Sequence, residues 1–358
     1  MTKPRPAAAA VPPSHNLAPA RRDFYQEIAP AHLAPLWEVL GALVTPEPRS
    51  VLKPHRWRYA DIRPYLLKSA ELITAKEAER RVLVLENPAL PGQSCITRSL
   101  YAGLQVILPG EIAPPHRHTQ TALRFVIEGK GAYTGVGGER TPMHQGDFVI
   151  TPSWAWHDHG SHGDGPTVWL DVLDIPMLQF FEASFREATE SDEARPEERP
   201  QGDSLARYGS NLLPVEGGHG HAGSPVFNYP YDRTRAALEQ MRKREEWSPW
   251  HGLKMKYVNP VNGDYAIPTI ATFIQLLPKG FETRPYRSTD STVYVCVEGK
   301  GRTTIGDQVF DWAPRDVFVV PSWMRHRHEP EADSVLFSAS DRGVQEKLGL
   351  WREAKEQA

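Results

Sequence analysis

The chain has 358 residues and a formal net charge of −3, which allows a substantial core in one to three domains and gives no sign of nucleic-acid or anionic-membrane binding. No apolar run approaches the roughly 18 residues that a membrane-spanning helix requires. Two cysteines, Cys95 and Cys296, are too few for a disulfide framework, so the composition predicts a cytoplasmic protein.

The N-terminal quarter of the chain reads as a tail followed by an extension. Residues 1–22 are rich in proline and alanine without periodicity, which predicts a disordered tail. Residues 23–90 form an N-terminal helical extension and arm, in which apolar residues over 24–43 recur at helical spacing. A short helix over 75–79 and a strand over 80–88 complete it.

The middle of the chain changes from strands to a linker. Residues 91–186 contain short runs of β-branched and aromatic residues separated by Gly and Pro, a pattern typical of a sandwich or barrel. Residues 187–252 are first charged and glycine-rich and then amphipathic, which predicts a linker, a mobile loop and a helix. His219 and His221 lie among glycines that fix no geometry, so we interpret them as loop composition, with adventitious metal binding as the alternative.

The strand-rich pattern recurs in residues 253–342. Glu128-Gly-Lys-Gly131 reappears as Glu298-Gly-Lys-Gly301 at an offset of 170, and Thr151-Pro-Ser-Trp154 reappears as Val320-Pro-Ser-Trp323 at an offset of 169. A repeat of this length indicates two copies of one domain.

Three histidines of the first copy are candidate metal ligands. His116 and His118 lie two residues apart, and on a β-strand this spacing turns both imidazoles to one face. His157 follows a strand and the proline corner at Pro152. The pair alone is a weak signal, and the surrounding blocks strengthen it.

The second copy lacks most of these ligands. Tyr286 and Ser288 stand where the first copy has its histidine pair, and only His326 recurs. One imidazole cannot hold a catalytic transition metal alone, so we predict a metal-free second barrel that completes the fold, walls the first barrel's entrance or forms a subunit interface. His326 and His328 could bind something else as the minor alternative. Residues 343–358 are expected to form a C-terminal helix.

The blocks around the three histidines resemble the two motifs of the cupin family. Ala122 stands where the family's first motif has a metal-binding glutamate, and Trp154 and Ser161 replace a glycine and an asparagine of the second. The resemblance therefore implies three neutral histidine ligands without a carboxylate. The matching positions are Gly110, His116, His118 and Gly129 in the first motif, and Gly146, Pro152 and His157 in the second.

An arginine close to these ligands suggests an anionic substrate. Three facial ligands leave open positions that suit a non-haem Fe(II) oxygenase, although a three-histidine zinc site would use similar ligands. Arg124 lies two residues after Ala122 and so points to the same barrel interior, where its charge must be paired. A salt bridge to Asp171 is one explanation, and the other is a chelating substrate whose carboxylate meets Arg124.

Longer runs resemble gentisate 1,2-dioxygenase and its relatives acting on salicylate and 1-hydroxy-2-naphthoate. This resemblance implies a mainly β bicupin fold, meaning two jelly-roll barrels with N-terminal and linking helices, assembled as a homotetramer. It also implies one Fe(II) per chain in the first barrel, held by His116, His118 and His157. The matching runs cover residues 79–88, 100–105, 109–111, 116–125 and 154–160.

The resemblance further implies the reaction and its partners, an aromatic hydroxy acid and dioxygen. The ring of gentisate would open between its carboxyl-bearing carbon and the adjacent hydroxylated carbon to give maleylpyruvate. Arg124 would hold the carboxylate, and His159 would orient a hydroxyl or move its proton. The substrate-binding residues implied are Arg80 (or its neighbour Arg81), Tyr101, Gln105, Arg124, His159 and Asp171.

Three alternatives stay open. The same chemistry could act on salicylate or 1-hydroxy-2-naphthoate, a choice that would depend on Tyr101 and its surroundings. A metal-dependent cupin isomerase or hydrolase using zinc or manganese is a different class of enzyme, and a non-catalytic small-molecule-binding cupin is the third alternative.

Overall fold

The computed structural model describes residues 18–189, 193–216 and 222–356, which fall into two units divided after Arg49. Residues 1–17 of the predicted disordered tail lie outside the described residues. The last part of that tail, residues 19–22, is helical instead of disordered. Proline at the first helical position explains this start, because the N–H that proline lacks would have no partner there. The first unit consists of α1 (Pro19–Ile28), a 3-10 turn (Ala29–Ala31) and α2 (Leu36–Leu43).

The second unit begins with a short arm and the first barrel. The helix predicted over 75–79 is confirmed as α4, and the strand predicted over 80–88 is limited to β2. The elements are β1 (His55–Trp57), α3 (Tyr59–Leu72), α4 (Ala75–Ala78), β2 (Val82–Val84), β3 (Tyr101–Ile107), β4 (Ile112–His118), β5 (Ala122–Glu128), β6 (Lys130–Val136), β7 (Glu139–His144), β8 (Phe148–Thr151), β9 (His157–Ser161), β10 (Thr167–Leu173) and α5 (Ile175–Phe180).

The linking segment and the second barrel follow. Their elements are β11 (Arg186–Ala188), α6 (Asp203–Tyr208), β12 (Asn228–Tyr229), α7 (Tyr231–Arg242), β13 (Leu253–Lys256), β14 (Ala271–Leu277), β15 (Tyr286–Ser288), β16 (Thr292–Glu298), β17 (Gly301–Ile305), β18 (Gln308–Trp312), β19 (Val317–Val320), β20 (His326–Pro330), β21 (Ser334–Ser340), α8 (Arg342–Lys347) and β22 (Glu353–Lys355). Among the described residues, no helix is both long and apolar enough to cross a membrane.

Each barrel is built from one six-stranded and one five-stranded antiparallel sheet. The first has the orders β12-β8-β5-β10-β3-β2 and β11-β4-β9-β6-β7, and the second has β1-β19-β16-β21-β14-β13 and β18-β17-β20-β15-β22. The same topology occurs twice, which confirms the internal repeat. The arm strand β1 pairs with β19 of the second barrel, and β12 of the linking segment pairs with β8 of the first.

The two six-stranded sheets share one apolar core. On β5, Leu123 and Phe125 point into this core, whereas Ala122 and Arg124 point into the barrel. The ring of Phe125 stacks on that of Phe337 from the second barrel at 4.2 Å between centroids. The period-2 alternation of a strand thus separates a packing face from a functional face.

Glu128, the corner residue of the first repeated motif, joins the barrel to the helix before it. It accepts hydrogen bonds from the Tyr59 hydroxyl at 2.9 Å and from Nε of Arg63 at 2.8 Å, both on α3. Arg315 of the second barrel also donates to it at 3.2 Å. One carboxylate therefore links both barrels and a helix.

Glu298 makes the equivalent contacts in the second copy. It accepts from the Tyr231 hydroxyl at 2.6 Å and from Nε of Arg235 at 3.0 Å, both on α7. The repeat therefore includes the helix that precedes each barrel, which the sequence comparison of strands and turns missed.

Two expectations about connecting segments were wrong. The predicted loop after the first barrel contains β11, which pairs with β4, and the short helix α6. The predicted C-terminal helix ends at Lys347, because Gly349 adopts a left-handed φ of 69° and the chain then continues into β22, which pairs with β15. His219 and His221 lie outside the described residues.

Candidate active site

Three imidazoles meet in the first barrel. His116 and His118 lie on β4, and His157 begins the neighbouring strand β9, in register with His116. The ring centroids are 4.5 to 5.2 Å apart, and one ligand atom from each ring lies within 4.8 Å of the others. Strand pairing therefore brings together all three histidines that the sequence indicated.

Hydrogen bonds to carbonyl groups fix the tautomers of two rings. Nδ1 of His118 lies 2.9 Å from the carbonyl oxygen of Gln120, and Nδ1 of His157 lies 3.0 Å from that of Ala155. Because a carbonyl only accepts, each Nδ1 donates its proton and each Nε2 keeps a free lone pair. Nε2 of His157 is buried without a hydrogen-bond partner among the described residues. Such an orphaned nitrogen fits a metal ion.

The environment keeps the three rings neutral. Burial lowers the pKa of His116 to about 2 and that of His118 to about 4, and it holds the pKa of His157 well below its usual value. The guanidinium groups of Arg80 and Arg124 act in the same direction. Neutral imidazole is the form that binds metals, so the site is suited to a cation at ordinary pH.

The two neighbouring arginines at the start of β2 have different positions. Nη2 of Arg80 donates to the carbonyl of Pro114 at 3.0 Å and lies 3.4 Å from Nε2 of His116. Arg81 instead pairs with Glu111, where Nη1 donates to a carboxylate oxygen at 3.0 Å. Arg80 is therefore the arginine that lines the cavity, and burial lowers its pKa to about 9.

Arg124 is buried in the cavity wall beside a carboxylate. Its Nη1 donates to the Thr151 hydroxyl at 2.6 Å, and its Nε lies 3.6 Å from Oδ1 of Asp171. The indole N–H of Trp169 donates to the same oxygen at 3.1 Å. Burial outweighs these contacts and raises the pKa of Asp171 to about 6. The salt bridge and the exposure of Arg124 to the cavity therefore coexist.

A cavity of about 520 Å³ opens beside the three histidines. Such a volume lies in the range of small-molecule sites. Of the predicted substrate-binding residues, it is lined by Arg80, Tyr101, Gln105, Arg124 and Asp171.

Sequence analysis missed one wall of this cavity. Ser184, Phe185 and Arg186 line it, because β11 pairs with β4 and puts Arg186 opposite His118. Nη1 of Arg186 also pairs with Glu79 at 2.6 Å. No local motif marks this segment, since its position depends on a pairing across about 70 residues. Ala122 lines the cavity as expected from its motif position, and the other unpredicted lining residues are Val82, Gln120, Leu173 and Ile175.

His159 lies deeper in the barrel and is not among the residues that line the cavity. Its ring is 5.9 Å from that of His157 and 5.4 Å from that of Trp169. The Thr134 hydroxyl lies 3.0 Å from its Nδ1, and its Nε2 has no hydrogen-bond partner among the described residues.

The fold and the site define a class of protein, the bicupins with one three-histidine centre in the first barrel. A family model for the Cupin domain matches residues 103–173 and 273–337, one match in each barrel.

Comparison with individual proteins gives the family within this class. Gentisate 1,2 dioxygenase 1 of Aquipseudomonas alcaligenes is 58% identical over 94% of this chain and 96% of its own. The 1-hydroxy-2-naphthoate 1,2-dioxygenase of Nocardioides sp. (strain KP7) is 32% identical over 92% of this chain and 84% of its own. The structure of salicylate 1,2-dioxygenase from Pseudoaminobacter salicylatoxidans with gentisate has a TM-score of 0.90 and 32% identity, covering 97% of both chains. The chain belongs to the gentisate 1,2-dioxygenase family of non-haem dioxygenases.

Proposed function

We propose that the protein cleaves gentisate between the carboxyl-bearing carbon and the adjacent hydroxylated carbon. One oxygen atom of dioxygen would be added to each of these carbons, and the product would be maleylpyruvate. The observation that carries the proposal is the three-histidine centre in one cavity with three arginines, in a chain 58% identical to a gentisate dioxygenase.

We infer that the centre holds one Fe(II) per chain, with His116, His118 and His157 as ligands. The fit rests on three neutral imidazoles with no carboxylate among them and on the orphaned Nε2 of His157. Bound iron would supply open positions for the substrate oxygens and for dioxygen, and would pass electron density between them.

The charges of the cavity favour an anionic substrate. Arg80, Arg124 and Arg186 contribute three positive charges, of which that of Arg186 is paired with Glu79. Asp171, with its pKa raised to about 6, offsets at most one of the other two. Nε of Arg124 has no hydrogen-bond partner among the described residues, although Asp171 lies nearby. A substrate carboxylate would give Arg124 a charge-assisted hydrogen bond inside a low-dielectric site.

The ring hydroxyls would meet the other side of the cavity. Tyr101 and Gln105 face it from β3, so we infer that they select the substituents of the ring. His159 would orient a hydroxyl of the substrate or exchange its proton through Nε2. For this role the substrate would have to reach the imidazole of His159, which does not line the cavity. Asp171 lines the cavity and has a pKa near 6, so it is better placed for proton exchange.

Oxygen uptake tests the proposal. Fe(II)-reconstituted protein would be given gentisate, salicylate or 1-hydroxy-2-naphthoate separately, with metal-free protein as control. We expect iron-dependent uptake that is fastest with gentisate, because its second hydroxyl makes the ring more electron-rich. Faster uptake with a monohydroxylated acid would select the other substrates of the family. If the iron-bound protein takes up no oxygen with any of these substrates, the result would favour the alternative that it is a cupin isomerase or hydrolase. The cytoplasmic location stays a prediction from composition, and the homotetramer stays a prediction of the family resemblance.

A further inference from the structure

The second barrel contains a cavity of about 380 Å³ at the place that corresponds to the active site. The correspondence follows from strand register: Tyr286 pairs with His326, as His116 pairs with His157 in the first barrel. Both Tyr286 and His326 line this second cavity. Its volume also lies in the range of small-molecule sites.

This second cavity has a different chemical character from the first. Among the described residues, the only group of three or more potential metal donors is the triad of the first barrel. Tyr294 of β16 replaces Arg124 of β5, and its partner on β21 is Ser338, where Arg124 has Asp171. The metal ligands and the arginine–aspartate pair are therefore both lost.

A lysine is among the charged groups of the second cavity. Lys254 of β13 is in register with Gln275, the position that Val82 occupies opposite Gln105 in the first barrel. Val82 lines the first cavity and Lys254 lines the second. The second barrel has thus gained a cation at a position where the first has an apolar side chain.

The ammonium group of Lys254 makes no direct ion pair with a described residue, although it interacts electrostatically with Asp290. It lies 4.7 Å from the ring centroid of Phe273 and 5.7 Å from that of Tyr294, and it forms no ion pair or hydrogen bond with any part of the chain that the structure describes. Burial lowers its pKa to about 8, with Asp290 acting in the opposite direction. Lys254 is only partly exposed, and the cavity is lined by three cations, Lys254, Lys256 and Arg342, but by only two carboxylates, Asp290 and Glu346. The positive charge that these carboxylates leave unbalanced points to a ligand that supplies a counter-charge.

Two other charged groups of the cavity have direct contacts. Arg342 donates to Glu346 at 2.7 Å and stacks on the ring of Trp351 at 3.8 Å. Asp290 accepts from the indole N–H of Trp351 at 2.9 Å and from the Thr292 hydroxyl at 3.3 Å. Lys254 and the more exposed Lys256 are therefore the lining cations without a direct ion pair among the described residues, and Lys254 is the less exposed of the two.

We propose that the second barrel binds a small aromatic carboxylate, with its carboxylate on the ammonium of Lys254 and its ring among the aromatic side chains of the cavity. The bound molecule would not react, because this cavity has no metal triad. The proposal is independent of the reaction in the first barrel. The aromatic side chains that line the cavity are Tyr265, Phe273, Tyr286 and Tyr294.

Isothermal titration of the full-length, metal-free protein with benzoate tests this proposal. We expect two benzoate sites per chain in the wild type, one in each barrel, and loss of one site, or at least about tenfold weaker binding there, in Lys254→Met. Lys300→Met removes a positive charge from the same barrel outside the cavity, and it should keep both sites. Benzoate binding with the same number of sites and the same affinity in Lys254→Met as in the wild type would overturn the proposal.

A crystallographic measurement keeps the proposal testable if Lys254→Met does not fold. Wild-type crystals soaked in 4-iodobenzoate should show an anomalous iodine peak inside the second barrel, with the carboxylate at Lys254. Density in the first barrel alone would refute the second site. Either result leaves the ring-cleaving activity of the first barrel to its own test by oxygen uptake.

Discussion

Nε of Arg124 lies 3.6 Å from Oδ1 of Asp171, and both side chains line the cavity that contains the three histidines. Their backbones are also opposite each other on the paired strands β5 and β10. The carboxylate therefore holds the arginine in place while leaving it exposed to the cavity. Sequence analysis placed Arg124 inside the barrel but did not decide what pairs with its charge. The contact with Asp171 explains how this charge can be buried.

Replacing this arginine should damage substrate binding more than metal binding. In Arg124→Ala we expect full iron content and a KM for gentisate that rises by about tenfold or more, since a hydrogen bond to a charged group contributes about 1.5–3 kcal/mol. Arg124→Lys, which keeps the charge, is the matched control and should recover part of the loss. Loss of iron from Arg124→Ala would instead show that the arginine supports the metal ligands.

His116→Ala should abolish iron retention and turnover, because it removes one of three ligands. Iron per chain after desalting should fall below about a tenth of the wild-type value. The control is His144→Ala, which alters a histidine whose side chain is 66% exposed on β7. An active, iron-replete His116→Ala protein would disprove the assignment of the metal site.

Substitutions of the two neighbouring arginines just before β2 should have different effects, one on substrate binding and the other on stability. Arg80→Ala should raise KM with little change in the free energy of unfolding, because Arg80 faces the cavity. Arg81→Ala should lower that free energy by about 3 kcal/mol and leave KM nearly unchanged, because it removes the partner of Glu111 from a buried pair. Steady-state kinetics and urea unfolding measure the two effects, and equal effects of both variants would contradict the placement.

Asp171 should make stability depend on pH between about 4 and 6. Burial raises its pKa from 3.8 to about 6, so the folded state binds this proton more tightly than the unfolded state. Its contribution is therefore complete below pH 3.8 and is lost as the pH rises through 6, a decrease of up to about 3 kcal/mol. Asp341, whose pKa is also raised to about 6, acts in the same window.

Asp171→Asn should therefore remove part of that slope and leave the part due to Asp341. Urea unfolding of the metal-free protein at several pH values measures it, with Asp341→Asn as the matched variant. An unchanged slope in Asp171→Asn would show that Arg124 keeps the carboxylate ionised in the folded state.

The contacts of Glu128 should stabilise the whole two-barrel unit. Glu128→Gln weakens its interactions with Tyr59, Arg63 and Arg315. We expect a loss of about 1–2 kcal/mol in the free energy of unfolding, because the carboxylate is partly buried while its two arginine partners are more than a third exposed and stay solvated. Glu331→Gln, which breaks an exposed pair with Lys300, should change it by less than about 1 kcal/mol. Similar losses in the Glu128→Gln and Glu331→Gln variants would mean that the contacts of Glu128 stabilise the protein no more than an exposed ion pair does.

The sequence by itself was sufficient for the features that follow a local period. Side chains two residues apart on a β-strand point to the same face. This alternation predicted that His116 and His118 share a face and that Arg124 points into the barrel. The repeated Glu-Gly-Lys-Gly corners indicated two barrels through their spacing alone. These features could be predicted because backbone geometry alone relates the residues involved.

Only the tertiary structure decided the features that depend on which strands pair. Three features of the first cavity depend on pairing or packing across tens of residues. Arg80 rather than Arg81 lines the cavity, Arg186 forms part of its wall, and His159 does not line it. The position of Lys254 is another such feature, since nothing local in the sequence places this lysine in a cavity beside Phe273 and Tyr294. Long-range register and burial determine these environments, and they arise from the packing of the whole unit.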